Sequence, residues 1–316
     1  LEFSELPFEE FGLDVEFGTD VEEDNFEIPD KIKTSIKRGD LFELTANGMS
    51  HRIMCGDSTQ EEDVGKLMNG EKAELLFTSP PYSDMRTYGG DKDLSIEKLI
   101  RFIPAFYPFV KYQVINLGIQ RKDNEIVQYW DDYISMAKST GLKFLSWNVW
   151  NRDMAGGIGQ QRAMFAIYHE FIFVFGKEKK ELIRNIPKNN SSRQREQYKQ
   201  STQRQKDGSL KKLDGVILHD FKQMGTVLTL PFANTIKKSE HPAMFPVQLP
   251  AEYIKAMTNE NEIICDPFIG SGTTLVAGAQ LGRRVFGMEI SPEYVQVTLD
   301  RMKKLYPDIE IKKLLL

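Results

Sequence analysis

The stretch from Glu262 to Glu289 constrains the fold of this 316-residue chain more than any other. Glu262-Ile263-Ile264-Cys265 is a short apolar run. It passes directly into Asp266-Pro267-Phe268-Ile269-Gly270-Ser271-Gly272-Thr273-Thr274 and then into helix-forming residues from Leu275 to Ala279, with Gly278 as a weak spot. The pattern is strand, glycine turn, helix. Glycines let backbone come close to a ligand, and free amides at a helix start favour an anionic group. About 20 residues beyond the turn, Arg284-Val285-Phe286-Gly287-Met288 forms a second apolar strand that ends in Glu289. An acid at the tip of the neighbouring strand is placed to accept hydrogen bonds from ribose hydroxyls, the logic of nucleotide-binding doubly wound sheets. At this point a dinucleotide would suit the unit as well as any other nucleoside cofactor.

A second word, Thr78-Ser79-Pro80-Pro81-Tyr82, ends another apolar run, Leu75-Leu76-Phe77. Two successive prolines fix the backbone, so the carbonyls near Ser79 and Pro80 can point rigidly into a cleft, and the Ser79 hydroxyl adds an acceptor. Tyr82 offers a flat face on which a base taken out of its stack can lie. The plain alternative is a proline turn after a strand, with an aromatic that only packs.

Together the two words resemble the DNA amino-methyltransferases that use S-adenosylmethionine, in particular their permuted β class, where the catalytic word precedes the cofactor word. The resemblance covers about residues 38 to 305. It implies that Ser79, Pro80, Pro81 and Tyr82 grip and stack the target base. It also implies that Thr78, Asp266, Phe268, Gly270, Gly272, Thr273 and Thr274 form the cofactor pocket, with Glu289 holding the ribose. His51 to Asp57 is an apolar strand ending in an acid; the resemblance sets Asp57 toward the cofactor adenine, and an N-cap for the helix after Ser58 is the alternative. His241-Pro242-Ala243-Met244-Phe245-Pro246 resembles the word before the last cofactor-lining helix, Gln248 to Met257, which puts Phe245 in the pocket; a proline-stopped loop is the alternative. His169-Glu170 opens the buried strand Phe171 to Phe175 and stands at the target-base pocket in the family, or else His169 is a structural histidine.

The expected fold is α/β: a Rossmann-like, seven-stranded, mostly parallel methyltransferase sheet, circularly permuted, with an inserted target-recognition region. Glu262 to Cys265 is strand one, Arg284 to Met288 strand two, Arg52 to Cys55 strand three and Leu75 to Phe77 strand four; Gln113 to Leu117, Lys143 to Trp147 and His169 to Phe175 complete it. Ser95 to Phe109 reads as a helix kinked or shortened by Pro104 and Pro108. Asn124 to Ser139 reads as a second helix with Ile126, Trp130, Tyr133 and Ala137 on one face. Permutation predicts that the chain after Glu293 to Tyr306 ends near residues 38 to 50. The domain expectation is an acidic linker or tail over 1–37, a catalytic domain over 38–176 and 241–316, and a target-recognition insert over 177–240.

Net charge is -5, but its distribution matters more than its sum: residues 1 to 30 hold twelve acidic and no basic side chains, and the remainder is positive. The stretch 177 to 212 is rich in Lys, Arg, Gln and Ser and lies where the family inserts its recognition region. Arg193, Arg195, Lys199 and Arg204 are its candidate contacts to double-stranded DNA, with a solvated loop as the alternative. Cys55 and Cys265 end strands separated by another strand, so no disulfide is expected and a reducing cytoplasm is the simplest setting. His and Cys show no metal-ligand spacing, so no metal is expected, and no apolar run is long enough for a membrane.

The sulfonium of the cofactor makes its methyl electrophilic, so the expected catalysis is alignment of donor and amino acceptor, without a strong base and without a cysteine intermediate. In the family a serine before Pro-Pro-Tyr accompanies N4 of cytosine more often than N6 of adenine, and N4 is the favoured target. The rival readings are an N6-adenine enzyme, a methyltransferase of RNA or protein amides, and a catalytically silent DNA-binding subunit. A homodimer, a cognate restriction nuclease and a fused N-terminal domain are the partners the resemblance suggests.

Overall fold

The computed structural model describes residues 21–24, 26–29, 31–46, 48–81, 95–122, 125–152, 167–179, 186–187, 202–212, 221–222, 224–230 and 245–314. In chain order, β1 (Leu41–Ala46), β2 (Met49–Cys55), α1 (Glu61–Met68) and β3 (Ala73–Thr78) are followed by α2 (Ile96–Leu99), α3 (Phe102–Phe106) and β4 (Val110–Leu117). The short β5 (Arg121–Lys122) and β6 (Glu125–Ile126) precede α4 (Trp130–Ser139), β7 (Lys143–Asn151) and β8 (His169–Gly176). Then come β9 (Ile186–Pro187), β10 (Thr202–Arg204), β11 (Leu210–Lys212), β12 (Phe221–Lys222) and β13 (Val227–Thr229). The described chain closes with α5 (Gln248–Met257), β14 (Ile263–Asp266), α6 (Thr273–Gln280), β15 (Arg284–Glu289), α7 (Pro292–Leu305) and β16 (Glu310–Leu314).

The chain divides into two compact units. The smaller unites Leu1–Thr19 with Leu182–Met224, and its described part consists of two antiparallel ladders, β9 with β12 and β10 with β11. The larger, Asp20–Glu181 with Gly225–Leu316, is built on one ten-stranded sheet in the order β13-β7-β8-β4-β3-β14-β15-β2-β1-β16. From β4 through β3, β14 and β15 to β2 every pairing is parallel. All six residues of β3 and all four of β14 are buried, the continuous apolar run expected where helices cover both faces of a parallel strand.

Alternation assigns the faces. Leu76, Cys265 and Phe286 join Val64, Leu67, Phe102, Phe106 and Tyr133 of α1, α3 and α4 in one core cluster. Their neighbours point the other way: the Phe77 ring lies 5.6 Å from Tyr253 of α5, and a Cβ on Gly278 of α6 would fall 2.3 Å from Val285 Cγ2. Gly278 is therefore no accident of helix propensity; only a glycine lets α6 approach β15 this closely.

All seven expected strands are present, with strand two between strands three and one. Three more are added: β1, β13 and β16. β16 pairs with β1 from Leu41↔Leu314 to Thr45↔Glu310, so the chain after Tyr306 does return to the region of residues 38 to 50. Both cysteines are free and buried. The expected 95–109 helix is two short ones, α2 and α3. The 124–139 helix is a correction: it starts at Trp130, because Arg121 and Lys122 pair with Ile126 and Glu125, and Ile126 is 45% exposed rather than sharing a buried face with Tyr133 and Ala137. Among the described residues, no helix is long and apolar enough to cross a membrane and no cluster of metal ligands occurs.

Candidate active site

The carboxyl ends of β2, β15, β14 and β3 lie side by side, and beyond them opens a cleft of about 1020 Å³ with its mouth included. Clefts at this edge are where open parallel sheets bind ligands. Phe268, Ile269, Leu99 and Pro81 give it apolar walls, and Asp57 and Glu289 give it carboxylates. The turn after β14 is shaped by backbone at Gly270 (φ 53°) and Gly272 (φ 90°); a Cβ on Gly272 would meet Thr298 Cγ2 at 3.0 Å. Helix α7 braces this turn from behind: Thr298 Oγ1 donates to Gly270 O at 2.8 Å, and Arg301 Nη1 donates to Ser271 O at 3.0 Å and to Thr273 Oγ1 at 3.1 Å.

The acids of the cleft are held by amides. Glu289 Oε2 accepts from Gly270 N at 3.1 Å and Oε1 from Ser291 N at 2.9 Å. Burial still pushes its carboxyl up to about 7, against the pull of the Ser291, Gly270 and Ile290 amides and with some help from Asp266. Asp57 Oδ1 accepts from the amide and hydroxyl of Thr59 at 2.9 and 2.7 Å, an Asx turn that leads to Gln60, the residue capping α1. The N-cap of α1 is thus Gln60 and not Asp57, which corrects the capping alternative; Asp57 shapes the turn before the helix and lines the cleft.

Two amides of the turn are already committed, Gly270 N to Glu289 and Gly272 N to Ile269 O at 2.8 Å. The anionic ligand expected at this turn on sequence alone would therefore meet two carboxylates rather than a ring of free amides. This site suits a nucleoside with hydroxyl and amino donors better than a pyrophosphate, and the dinucleotide alternative loses ground for that reason.

Across the cleft, Ser79 and Pro81 are half-buried and line it, while Pro80 is buried. Asn116 Nδ2, at the end of β4, donates to Ser79 Oγ at 3.3 Å and to Glu170 Oε2 at 2.7 Å; Arg152 Nη1 reaches Glu170 Oε1 at 3.2 Å. Of the His169-Glu170 pair it is the glutamate that reaches toward Ser79, while the His169 ring packs 5.3 Å from Phe171.

The sequence-predicted residues Asp57, Ser79, Pro81, Phe245, Phe268, Gly270, Thr273 and Glu289 thus share one cleft. Thr78, Asp266 and Thr274 stand behind its wall, each essentially without solvent exposure, and Gly272 shapes the turn from below. Burial raises the Asp266 carboxyl to about 6, opposed by the nearby Thr274 hydroxyl and by hydrogen bonds from the Thr78 hydroxyl and the Phe268 amide. Arg204 is exposed on β10. Tyr82, Arg193, Arg195 and Lys199 lie outside the described residues. Sequence reasoning missed Asn116, whose signal was a polar side chain interrupting the apolar run Val114-Ile115-Asn116-Leu117. It also missed Ile28, Leu99 and Tyr294, which no local pattern marks as cleft residues.

The chemistry of this cleft agrees with what the chain is similar to. The orphan methyltransferase M.BamHII of Bacillus amyloliquefaciens is 27% identical over 256 residues, 73% of this chain and 88% of its own. Among solved structures, the M1.HpyAVI complex with SAM superposes with a TM-score of 0.53 at 22% identity, over 79% of this chain and 98% of its own. The cytosine-N4-specific PvuII DNA methyltransferase does so with a TM-score of 0.52 at 17% identity, over 79% and 85%. At such identities these two superpositions speak for the fold. A family model described as DNA methylase, for N6 and N4 methyltransferases, matches residues 73–300, from the strand that leads to Ser79 into the helix that braces the glycine turn. That match spans well over half of the chain, which therefore belongs to this DNA methylase family.

Proposed function

We propose that the chain moves a methyl group from S-adenosylmethionine to the exocyclic amino group of a base turned out of double-stranded DNA, with N4 of cytosine as the target. One observation carries this reading: Ser79 and Pro81 open onto the same cleft as Phe268, Gly270 and Glu289, so a base amino group and a nucleoside cofactor can be brought face to face. The fit to the cofactor rests on the committed turn amides and the two carboxylates, which match ribose hydroxyls and an adenine amino group and repel phosphate. When bound, S-adenosylmethionine supplies a methyl activated by its sulfonium. Glu289 then holds the ribose, Asp57 faces the adenine, and Phe245 and Phe268 wall the pocket.

On the base side, Ser79 accepts a hydrogen from the amino group, and the Asn116 amide fixes the position of that hydroxyl. Glu170, clamped by Arg152, fixes Asn116 in turn. Pro80 and Pro81 keep the neighbouring carbonyls rigid for the second amino hydrogen, and Tyr82 stacks on the base. Ser79 is neutral, so no strong base stands at the amino group, and its proton is lost late. The serine before Pro-Pro-Tyr is what favours N4 of cytosine over N6 of adenine, through the family resemblance. That β3 precedes β14 in the chain yet lies beside it in the sheet supports the permuted order. DNA phosphates are held by Arg193, Arg195, Lys199 and Arg204; the Thr202–Lys212 hairpin, with Arg204, Lys206 and Lys211 exposed, is a support for this.

The test is nucleoside mass spectrometry of unmethylated DNA incubated with the chain and methyl-labelled S-adenosylmethionine. Label in N4-methylcytosine is the expected result. Label in N6-methyladenine would keep the reaction class and overturn the base, and no label from a chain that binds the cofactor would favour a silent subunit.

A further inference from the structure

The segment before β1 does not hang free of the catalytic unit. Glu22 N donates to Gln280 Oε1 at 2.7 Å at the end of α6, and Gln280 Nε2 donates back to Glu22 O at 3.0 Å. Glu23 Oε1 accepts from Gln248 N at 3.2 Å at the start of α5. Asp24 receives both arms of Arg301 from α7 at 2.6 Å each, and this pair is buried, with side-chain exposures of 7% and 6%. Further along, the Phe26 ring lies 5.7 Å from Lys304 Nζ, and Ile28 reaches the cleft itself, on the same lining as Asp57, Tyr294 and Glu289. The segment therefore crosses α6, α5 and α7 and ends in the cofactor cleft.

We infer that residues 21–24 and 26–28 are part of the cofactor site, with Ile28 as a wall against the bound nucleoside and Asp24 as the positioning residue that holds this wall. The physical link is Arg301. Its Nη1 supports Ser271 O and Thr273 Oγ1 in the glycine turn, while its Nε and Nη2 donate to Asp24 in a bidentate pair. One guanidinium thus sets the distance between the segment and the turn. Two buried charges held in this geometry are costly to unpair, so the segment is held in place rather than resting on the surface. The family match starts at residue 73, so this wall comes from chain outside the matched region. The inference rests on the assignment of the cleft to S-adenosylmethionine.

The experiment titrates the full chain with S-adenosylmethionine by calorimetry, without DNA, and follows thermal unfolding of the cofactor-free protein. The wild-type titration tests the assignment of the cleft by itself: no binding there would remove both the assignment and this inference. With wild-type binding established, Ile28→Ala is expected to raise the dissociation constant roughly tenfold, the affinity of about two buried methylenes, with little change in cofactor-free unfolding. Asp24→Asn is expected to shift it in the same direction and Asp24→Glu to recover part of the loss. In turnover, KM for the cofactor should rise by more than kcat falls. An unchanged dissociation constant in folded Ile28→Ala would overturn the inference. So would a loss of affinity in all variants that only tracks a loss of cofactor-free stability.

Discussion

Thr78 Oγ1 donates a fully buried hydrogen bond of 2.7 Å to Asp266 Oδ1 and so ties the last residue of β3 to the last residue of β14. The word that carries Ser79 and the word that carries Gly270 begin at these two residues, 188 positions apart in the chain. Asp266 also accepts from Phe268 N at 3.0 Å, so one carboxylate fixes the start of the glycine turn and its distance from the catalytic strand.

Thr78→Val keeps the shape and removes the donor. We expect a loss of about 1–3 kcal/mol of stability in urea unfolding, the cost of a buried acceptor left without its partner. The folded-state carboxyl of Asp266, already raised by burial, should rise further. A raised acid makes the folded state bind the proton more tightly than the unfolded state, so this group favours folding most at low pH and loses that contribution as pH rises from the ordinary 3.8 to about 6. In Thr78→Val the decline should extend to higher pH, which unfolding curves at a series of pH values will show.

Cofactor affinity should depend on pH through Glu289. Ribose hydroxyls donate best to an ionised carboxylate, and burial pushes the Glu289 carboxyl up to about 7. Binding should therefore strengthen as pH rises, by at most about tenfold per unit below pH 7, and level off above it. Glu289→Gln should bind weakly with no such slope. A pH-independent wild-type dissociation constant from pH 6 to 8 would sink the ribose role.

Gly278→Ala separates helix propensity from packing. Propensity alone promises a gain of about 1 kcal/mol. The new Cβ would fall 2.3 Å from Val285 Cγ2, and overpacking of this kind costs about 1–3 kcal/mol. We expect net destabilisation in urea unfolding; a more stable variant would mean that α6 and β15 are less tightly apposed.

Asn116→Ala should leave S-adenosylmethionine binding within about twofold and lower kcat by about tenfold to a hundredfold, the scale on which loss of a positioned group acts. Glu170→Gln should act in the same direction and more weakly, since it touches Ser79 only through Asn116. Equal loss of cofactor binding in Asn116→Ala would place its role in the fold instead. Calorimetry and single-turnover labelling separate the two.

Local pattern carried much of this protein. An apolar run followed by a glycine turn and helix formers can hardly be anything but β14 and α6, because strand burial, positive φ and helix propensity are properties of a few consecutive residues. The short helices around Pro104 and the acid at the tip of β15 were legible for the same reason. The failure at Glu125 and Ile126 came from the same source. Its apolar spacing suits a helix, but the pairing of Arg121 with Ile126 and the bond from Val127 N to Gln120 O, at 3.0 Å, turn that stretch into a ladder.

What the tertiary structure alone decided are the contacts between residues far apart in the chain. Nothing near Asp24 marks it as the partner of Arg301, 277 positions away, and nothing near Ile28 marks it as a cleft residue. Asp266 was legible as a site residue but not as the buried acceptor behind the wall, since that depends on where β3 packs. Seven of the ten strands and the residue types at their ends were legible in the sequence, because those follow from short-range sterics and periodicity. The pairing of Thr78 with Asp266, of Asn116 with Ser79 and of Asp24 with Arg301 follows from the order of strands in one sheet and of the helices packed on it, which only the folded chain defines.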